Sequence, residues 1–241
     1  MKNRIYTGTA GWSVPAALAE KFAAEGTHLQ RYSRVLPSAE INTSFYRPHQ
    51  PRTYAKWAAS VPDDFRFAVK VPKQITHEKR LRDCEILLDN FLAQVSFLES
   101  KLGVLLVQLP PALSFNPDSA EKFCCYFREK FAGSIVCEPR HLTWFSPQAE
   151  QLLIDSQIGR VAADPAISPR GSTPGGWNGS IYFRLHGSPK MYYSNYSDEF
   201  LNDLNSKLRH YLEYSDVWCI FDNTAEFHAT ANALILLNLS R

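Results

Sequence analysis

The sequence predicts an α/β fold, a single (β/α)8 TIM-like barrel, and three features carry the prediction. Strand-like and helix-like segments alternate along the chain, eight strands in all. Residues 104–109 are almost wholly apolar, as in a strand covered on both faces. The chain has 241 residues, a length that one such barrel fills. A doubly wound sheet is the alternative. No linker or internal repeat interrupts the rhythm, so one barrel domain is expected over residues 1–241.

Residues 4–9 read as the first strand, with Gly8 and Gly11 allowing a tight loop that Trp12 anchors. Residues 15–36 are weakly helical, most strongly from His28. Residues 38–42 form the second strand, with Glu40 and Asn42 on one face. Pro51 opens a helix whose Tyr54, Trp57, Ala58 and Val61 fall at helical spacing. Residues 66–71 are the third strand, and Lys73, Thr76 and His77 lie in its outgoing loop. A long helix is expected next, its stripe running from Leu81 through Leu88 and Val95 to Leu102, with Gly103 as the stop. Pro110 and Pro111 end the fourth strand.

Asn116 and Pro117 read as N-cap and first residue of a helix that buries Ala120, Phe123, Cys124, Phe127 and Phe131. Ser134–Glu138 is the fifth strand, and Ser146 with Pro147 caps a short helix. Residues 158–164 are the sixth strand, with Arg160, Ala162 and Asp164 on one face. Residues 165–179 are rich in Pro, Gly and Ser, so a loop replaces the expected helix. In the seventh strand Ile181, Phe183 and Leu185 share the apolar face, and Tyr182, Arg184 and His186 share the other. Gly187 breaks it. Ser197 or Asp198 caps the next helix. Residues 217–222 are the eighth strand, and an apolar helix with Leu234, Ile235, Leu237 and Leu239 closes the pattern.

Composition narrows the function. Hydrophobic residues make up 45% and the net charge is +2, so no overall field draws the chain to nucleic acid or membrane. No apolar run reaches 18 residues, and neither a transmembrane helix nor a signal peptide is expected. The five cysteines show no C-x-x-C spacing and read as reduced core thiols in a cytoplasmic protein. No P-loop, G-x-G-x-x-G or G-x-S-x-G motif exists, which disfavours nucleotide triphosphate hydrolysis, dinucleotide binding and serine-hydrolase chemistry.

The strand ends point to chemistry. They carry Thr7, Glu40, Asn42, Lys70, Gln108, Glu138, Arg140, Asp164, Arg184, His186, Asp222 and Asn223, and a barrel gathers all of these at one mouth. The favoured reading is an enzyme acting on a small anionic substrate, phosphorylated or carboxylated, with sugar- and nucleotide-like molecules included. Arg184, Arg140, Lys70, His77 and Lys190 supply donors for oxyanions. Glu40, Asn42, Gln108 and Asn223 add polar contacts, and Trp12, Tyr46 and Tyr196 wall the pocket. Glu138 or Asp164 is the candidate general base, His186 the candidate general acid or base, and Asp222 a further catalytic candidate.

No cofactor is expected. A divalent metal held by Glu40, Glu138, Asp164, His186 and Asp222 would make the protein a metal-dependent hydrolase or nuclease, but H-x-H and H-E-x-x-H spacings are absent and three fixed cations oppose it. A non-catalytic barrel binding nucleic acid or protein is a third reading, with nucleic acid disfavoured by the near-neutral charge. The plain alternative to all three is a self-satisfied ion-pair network plugging the barrel.

Several stretches together resemble the YecE-like family, the domain of unknown function 72. They are Gly8-Thr9-Ala10-Gly11-Trp12, Glu40-Ile41-Asn42-Thr43-Ser44-Phe45-Tyr46, Lys70 with Thr76-His77, and Gln108-Leu109-Pro110-Pro111. Glu138-Pro139-Arg140-His141 with Trp144, Arg184-Leu185-His186-Gly187, and Asp222-Asn223-Thr224 with Asn232-Ala233 complete the set. The resemblance covers nearly the whole chain in order, departing at residues 13–30, which lack an aromatic-rich segment. It implies a TIM barrel and no particular reaction.

Overall fold

A computed structural model describes residues 3–240. The strands in chain order are β1 (Ile5–Ala10), β2 (Ser38–Ile41), β3 (Arg66–Lys70), β4 (Leu102–Gln108), β5 (Ser134–Glu138), β6 (Ile158–Arg160), β7 (Ala162–Asp164), β8 (Gly175–Gly176), β9 (Ile181–Leu185) and β10 (Val217–Phe221). β1 pairs in parallel with β2 on one side and β10 on the other. Parallel pairing continues from β2 through β3 and β4 to β5. The expected sixth strand is broken at Val161 into β6 and β7. β6 pairs with β5 and β7 pairs with β9, so the two halves hand the sheet across and nearly close the barrel.

Alternation sorts the side chains. Tyr6, Val104, Leu106, Val136, Tyr182 and Trp218 fill the barrel interior. The intervening residues, such as Phe67, Val69, Leu105, Cys137, Phe183 and Phe221, face the helices in a larger outer core. Those helices are α1 (His28–Ser33), α2 (Pro51–Ala59), α3 (Glu85–Val95), α4 (Pro117–Lys130), α5 (Pro147–Asp155), α6 (Asp198–Leu212) and α7 (His228–Ser240). The expected caps form. Asn116 Oδ1 accepts from the Ser119 amide, Ser146 Oγ from Ala149, and Ser197 Oγ from Phe200, each satisfying an amide that the first helical turn leaves free.

Three expectations are corrected. The long helix of residues 81–102 is broken: Arg80, Leu81, Asp83 and Glu99 have positive φ, so only Glu85–Val95 is α-helical. Left-handed residues end a helix whatever the apolar spacing says. Gly103 is not a helix stop but a strand residue of β4. An added Cβ there would lie 2.4 Å from the Trp218 ring, so the glycine makes room for that indole inside the barrel. Cys125 is exposed on α4, whereas the other four cysteines are buried.

Residues 165–179 hold a short 3-10 turn (Pro169–Ser172) and β8, which folds back antiparallel onto β6. No α-helix occupies that crossover.

Candidate active site at the barrel mouth

Every second residue of a strand faces the lumen, and at the carboxyl ends of β2, β3, β4, β5, β9 and β10 that residue or the next in register is polar. Glu40, Lys70, Gln108, Glu138, Arg184, His186 and Asp222 therefore converge, all at least 94% buried. Arg184 sits at the centre. Its Nε and Nη2 donate to the two oxygens of Glu40 at 2.9 and 2.7 Å. Nη1 donates to Glu138 Oε2 at 3.2 Å, and Nη2 lies 3.0 Å from Asp222 Oδ2. One guanidinium thus contacts three carboxylates, and its own pKa is raised because those carboxylates together outweigh the burial that opposes its charge. Tyr182 donates to Glu40 Oε2 at 2.8 Å.

His186 completes the network. Nδ1 lies 3.1 Å from Asp222 Oδ2 and Nε2 3.0 Å from Glu138 Oε1. Carboxylates only accept, which favours a proton on each ring nitrogen, whereas Arg140 Nη2 and Arg184 Nη1, each 3.3 Å from Nε2, only donate and oppose one there. Burial pulls the His186 pKa down, but the charge of Glu138 and the hydrogen bonds to Asp222 and Glu138 together outweigh it, and the net shift is upward. Glu138 is driven well below the usual carboxylate range: burial opposes this, and Arg184 and His186 overcome it. Asp222 is lowered too, against burial, chiefly by Arg184. Glu138 also accepts from Gln108 and from Arg140, whose Nε and Nη2 reach Oε1 at 3.1 and 3.0 Å.

Two cations keep free capacity. The Arg140 side chain is 20% exposed, and its Nη1 makes no hydrogen bond among the described residues. Lys70 is 5% exposed, and no carboxylate of the described residues lies within ion-pair distance of it. Its Nζ instead sits 4.0 Å from the centre of the Phe45 ring. Burial, and then Arg184, lower its pKa to about 8. His77 packs edge-on to Phe45 at 4.9 Å, and its Nδ1 meets Thr76 Oγ1. Burial, with Lys70 and Arg140 nearby, lowers its pKa and favours the neutral ring.

The other expected site residues are placed elsewhere. Asp164 faces outward from β7, and its carboxylate accepts from Tyr196 Oη at 2.8 Å. Tyr196 is buried against Phe200 and accepts from the Gly187 amide, so it ties β7 to the loop after β9. Asn223 holds the same loop through Ser194 and Asn232. Trp12 packs on Trp57 and Phe67 in the outer layer. Tyr46 is exposed on the rim, as is Lys190, which lies over Tyr193. Asn42 flanks the mouth with a buried, unpartnered Oδ1.

Three contributors went unselected in the sequence. Tyr182 was signalled by sharing a strand face with Arg184 and His186. Phe45, under Lys70, and Tyr192, edge-on to His186 at 5.8 Å, lie in loops with no periodic signal. Among the described residues no group of three or more His, Cys, Asp or Glu side chains is placed to hold a metal ion, because Arg184 lies between the carboxylates.

A family described as "Protein of unknown function DUF72" matches this sequence over residues 6–241. The chain belongs to the DUF72 family. Among curated relatives, the UPF0759 protein YecE of Escherichia coli K12 is 36% identical over 166 residues. That stretch is 68% of this chain and 58% of YecE, so the match spans under two thirds of the relative's length. The UPF0759 protein YunF of Bacillus subtilis is 28% identical over 98% of this chain and 94% of its own. The DUF72 fold also recurs in solved structures. A DUF72 family protein of Enterococcus faecalis superposes with a TM-score of 0.83 at 24% identity, covering 98% of this chain and 95% of that one. One from Thermotoga maritima gives 0.80 at 23% identity, covering 98% and 99%.

Proposed function

We propose that this DUF72 barrel is an enzyme acting on a small anionic substrate at its C-terminal mouth. One observation carries the reading. Three permanent cations, Lys70, Arg140 and Arg184, and His186, whose pKa is raised, meet three carboxylates, and among the described residues Lys70 is the cation with no carboxylate at ion-pair distance. A buried unmatched charge is costly in an empty site and is relieved when an oxyanion binds. Lys70 and Arg140 supply the donors, joined by the outer nitrogen of His77. His186, held between Glu138 and Asp222, is the proton carrier, and Arg184 fixes the carboxylates rather than touching substrate.

The same arrangement weighs against a divalent metal, which would have to displace Arg184 from all three carboxylates. No helix of the described residues is long and apolar enough to cross a membrane. The unpaired cysteines suit a cytoplasmic setting.

The test is a melting screen against phosphate, sulfate, divalent metals and a short oligonucleotide, with Lys70→Met alongside. An anion at about 100 times its dissociation constant should add roughly 2.7 kcal/mol, a rise of about 5–10 °C, in the wild type only. A shift with metal alone would favour a metallohydrolase, with the oligonucleotide alone a nucleic-acid-binding barrel, and with nothing a plugged barrel.

A further inference from the structure

Beside the charged cluster lies a cavity of about 170 Å³. Phe145, Val161, Ala163, Pro165, Ile167 and Met191 line it. Among the described residues its only polar side chains are Glu138, Arg140 and His186, which are bonded to one another and so lie together. The wall is fixed from behind. The Arg160 guanidinium is 5.0 Å from the Phe145 ring centre, held there by Glu150 and the Arg170 carbonyl. An apolar cavity of about 150 Å³ is large enough to take a benzene ring. A sugar of similar size would leave its hydroxyls facing carbon, and each unpaired hydroxyl is costly.

We propose that the substrate is an aryl oxyanion: one flat apolar ring seated in this cavity, carrying a carboxylate or phosphate that faces Arg140 and Lys70. This narrows the substrate class given above and rests on the anion-site reading. It sets aside the sugar- and nucleotide-like forms. The ring lies against Ala163 and Ile167, which places the bond between ring and anion beside His186.

Calorimetric titration with inorganic phosphate, phenyl phosphate and ribose 5-phosphate tests the idea. Burying one face-covered ring should make phenyl phosphate bind roughly thirtyfold or more tighter than inorganic phosphate. Ribose 5-phosphate should show no such gain. Ala163→Leu, which fills the cavity, should remove the ring's advantage and leave inorganic phosphate unchanged. Ile167→Ala, at a half-exposed position that tolerates truncation, should reduce the advantage by a few fold and guards against a misfolded first variant. If inorganic phosphate binds and phenyl phosphate binds no tighter, the ring pocket is wrong and the anion site stands. If Ala163→Leu keeps the full advantage, the ring sits elsewhere and the proposal falls. If no phosphate compound binds, the anion site and the ring pocket fail together.

Discussion

Arg184 and Glu40, 144 residues apart in sequence, meet through two parallel hydrogen bonds of 2.9 and 2.7 Å. The fork spans the barrel from β9 to β2, and both side chains are essentially excluded from solvent. Breaking such a pair leaves Glu40 buried and unmatched, which costs about 3–5 kcal/mol. Arg184→Met should therefore melt roughly 6–20 °C lower by calorimetry. Arg184→Lys should rescue little, because an ammonium cannot present two parallel N–H groups to one carboxylate.

Lys70 has the opposite sign. Its pKa falls from 10.5 to about 8 on folding, so the folded state disfavours the charged amine. That penalty is complete below pH 8 and disappears as pH rises past the unfolded value. At roughly 1.4 kcal/mol per pKa unit, less the contact with Phe45, Lys70→Met should stabilise the protein by about 1–2 kcal/mol at pH 7. Melting curves should show the gain shrinking between pH 8 and 10.5. A residue whose removal stabilises the fold has another reason to be there.

His186 makes the network pH-dependent. Its folded pKa is raised, so its contribution is whole below the ordinary imidazole value of about 6.5 and is lost as pH rises through the folded value. Glu138 and Asp222 are lowered, so theirs is present above the ordinary carboxylate range of about 4 and fails on acidification. The melting-temperature gap between wild type and His186→Gln should be widest near pH 6 and narrow toward alkaline pH.

Gly103→Ala probes the interior. The new Cβ would press on the Trp218 ring, which stacks between Tyr6 at 4.7 Å and Tyr182 at 6.1 Å. Overpacking of this kind costs about 1–3 kcal/mol. Denaturant unfolding should show a lower midpoint with an unchanged slope.

These predictions separate what the sequence makes legible from what it does not. The barrel was legible because period-two strands and capped helices alternate, and each cap residue sits where its hydrogen bond forms. The meeting of Glu40, Glu138, Arg184, His186 and Asp222 followed from reading strand ends together. What the sequence hid was pairing. Arg184 looks like a substrate clamp until its donors are seen to be spent on three carboxylates. Asp164 shares the strand-end position, but the break at Val161 and the register of β7 turn it toward Tyr196. Helical spacing over residues 81–102 concealed the left-handed residues that stop the helix.

The central claim is that the mouth holds an oxyanion through Lys70. Sulfate keeps one charge state across the relevant range, so its affinity can be measured by titration from pH 6 to 9.5 without ambiguity from the ligand. The account predicts an affinity that is steady below about pH 7, falls through pH 8 as Lys70 loses its proton, and is lost in Lys70→Met at every pH. An affinity that is flat through pH 9.5, or that Lys70→Met retains, would contradict it.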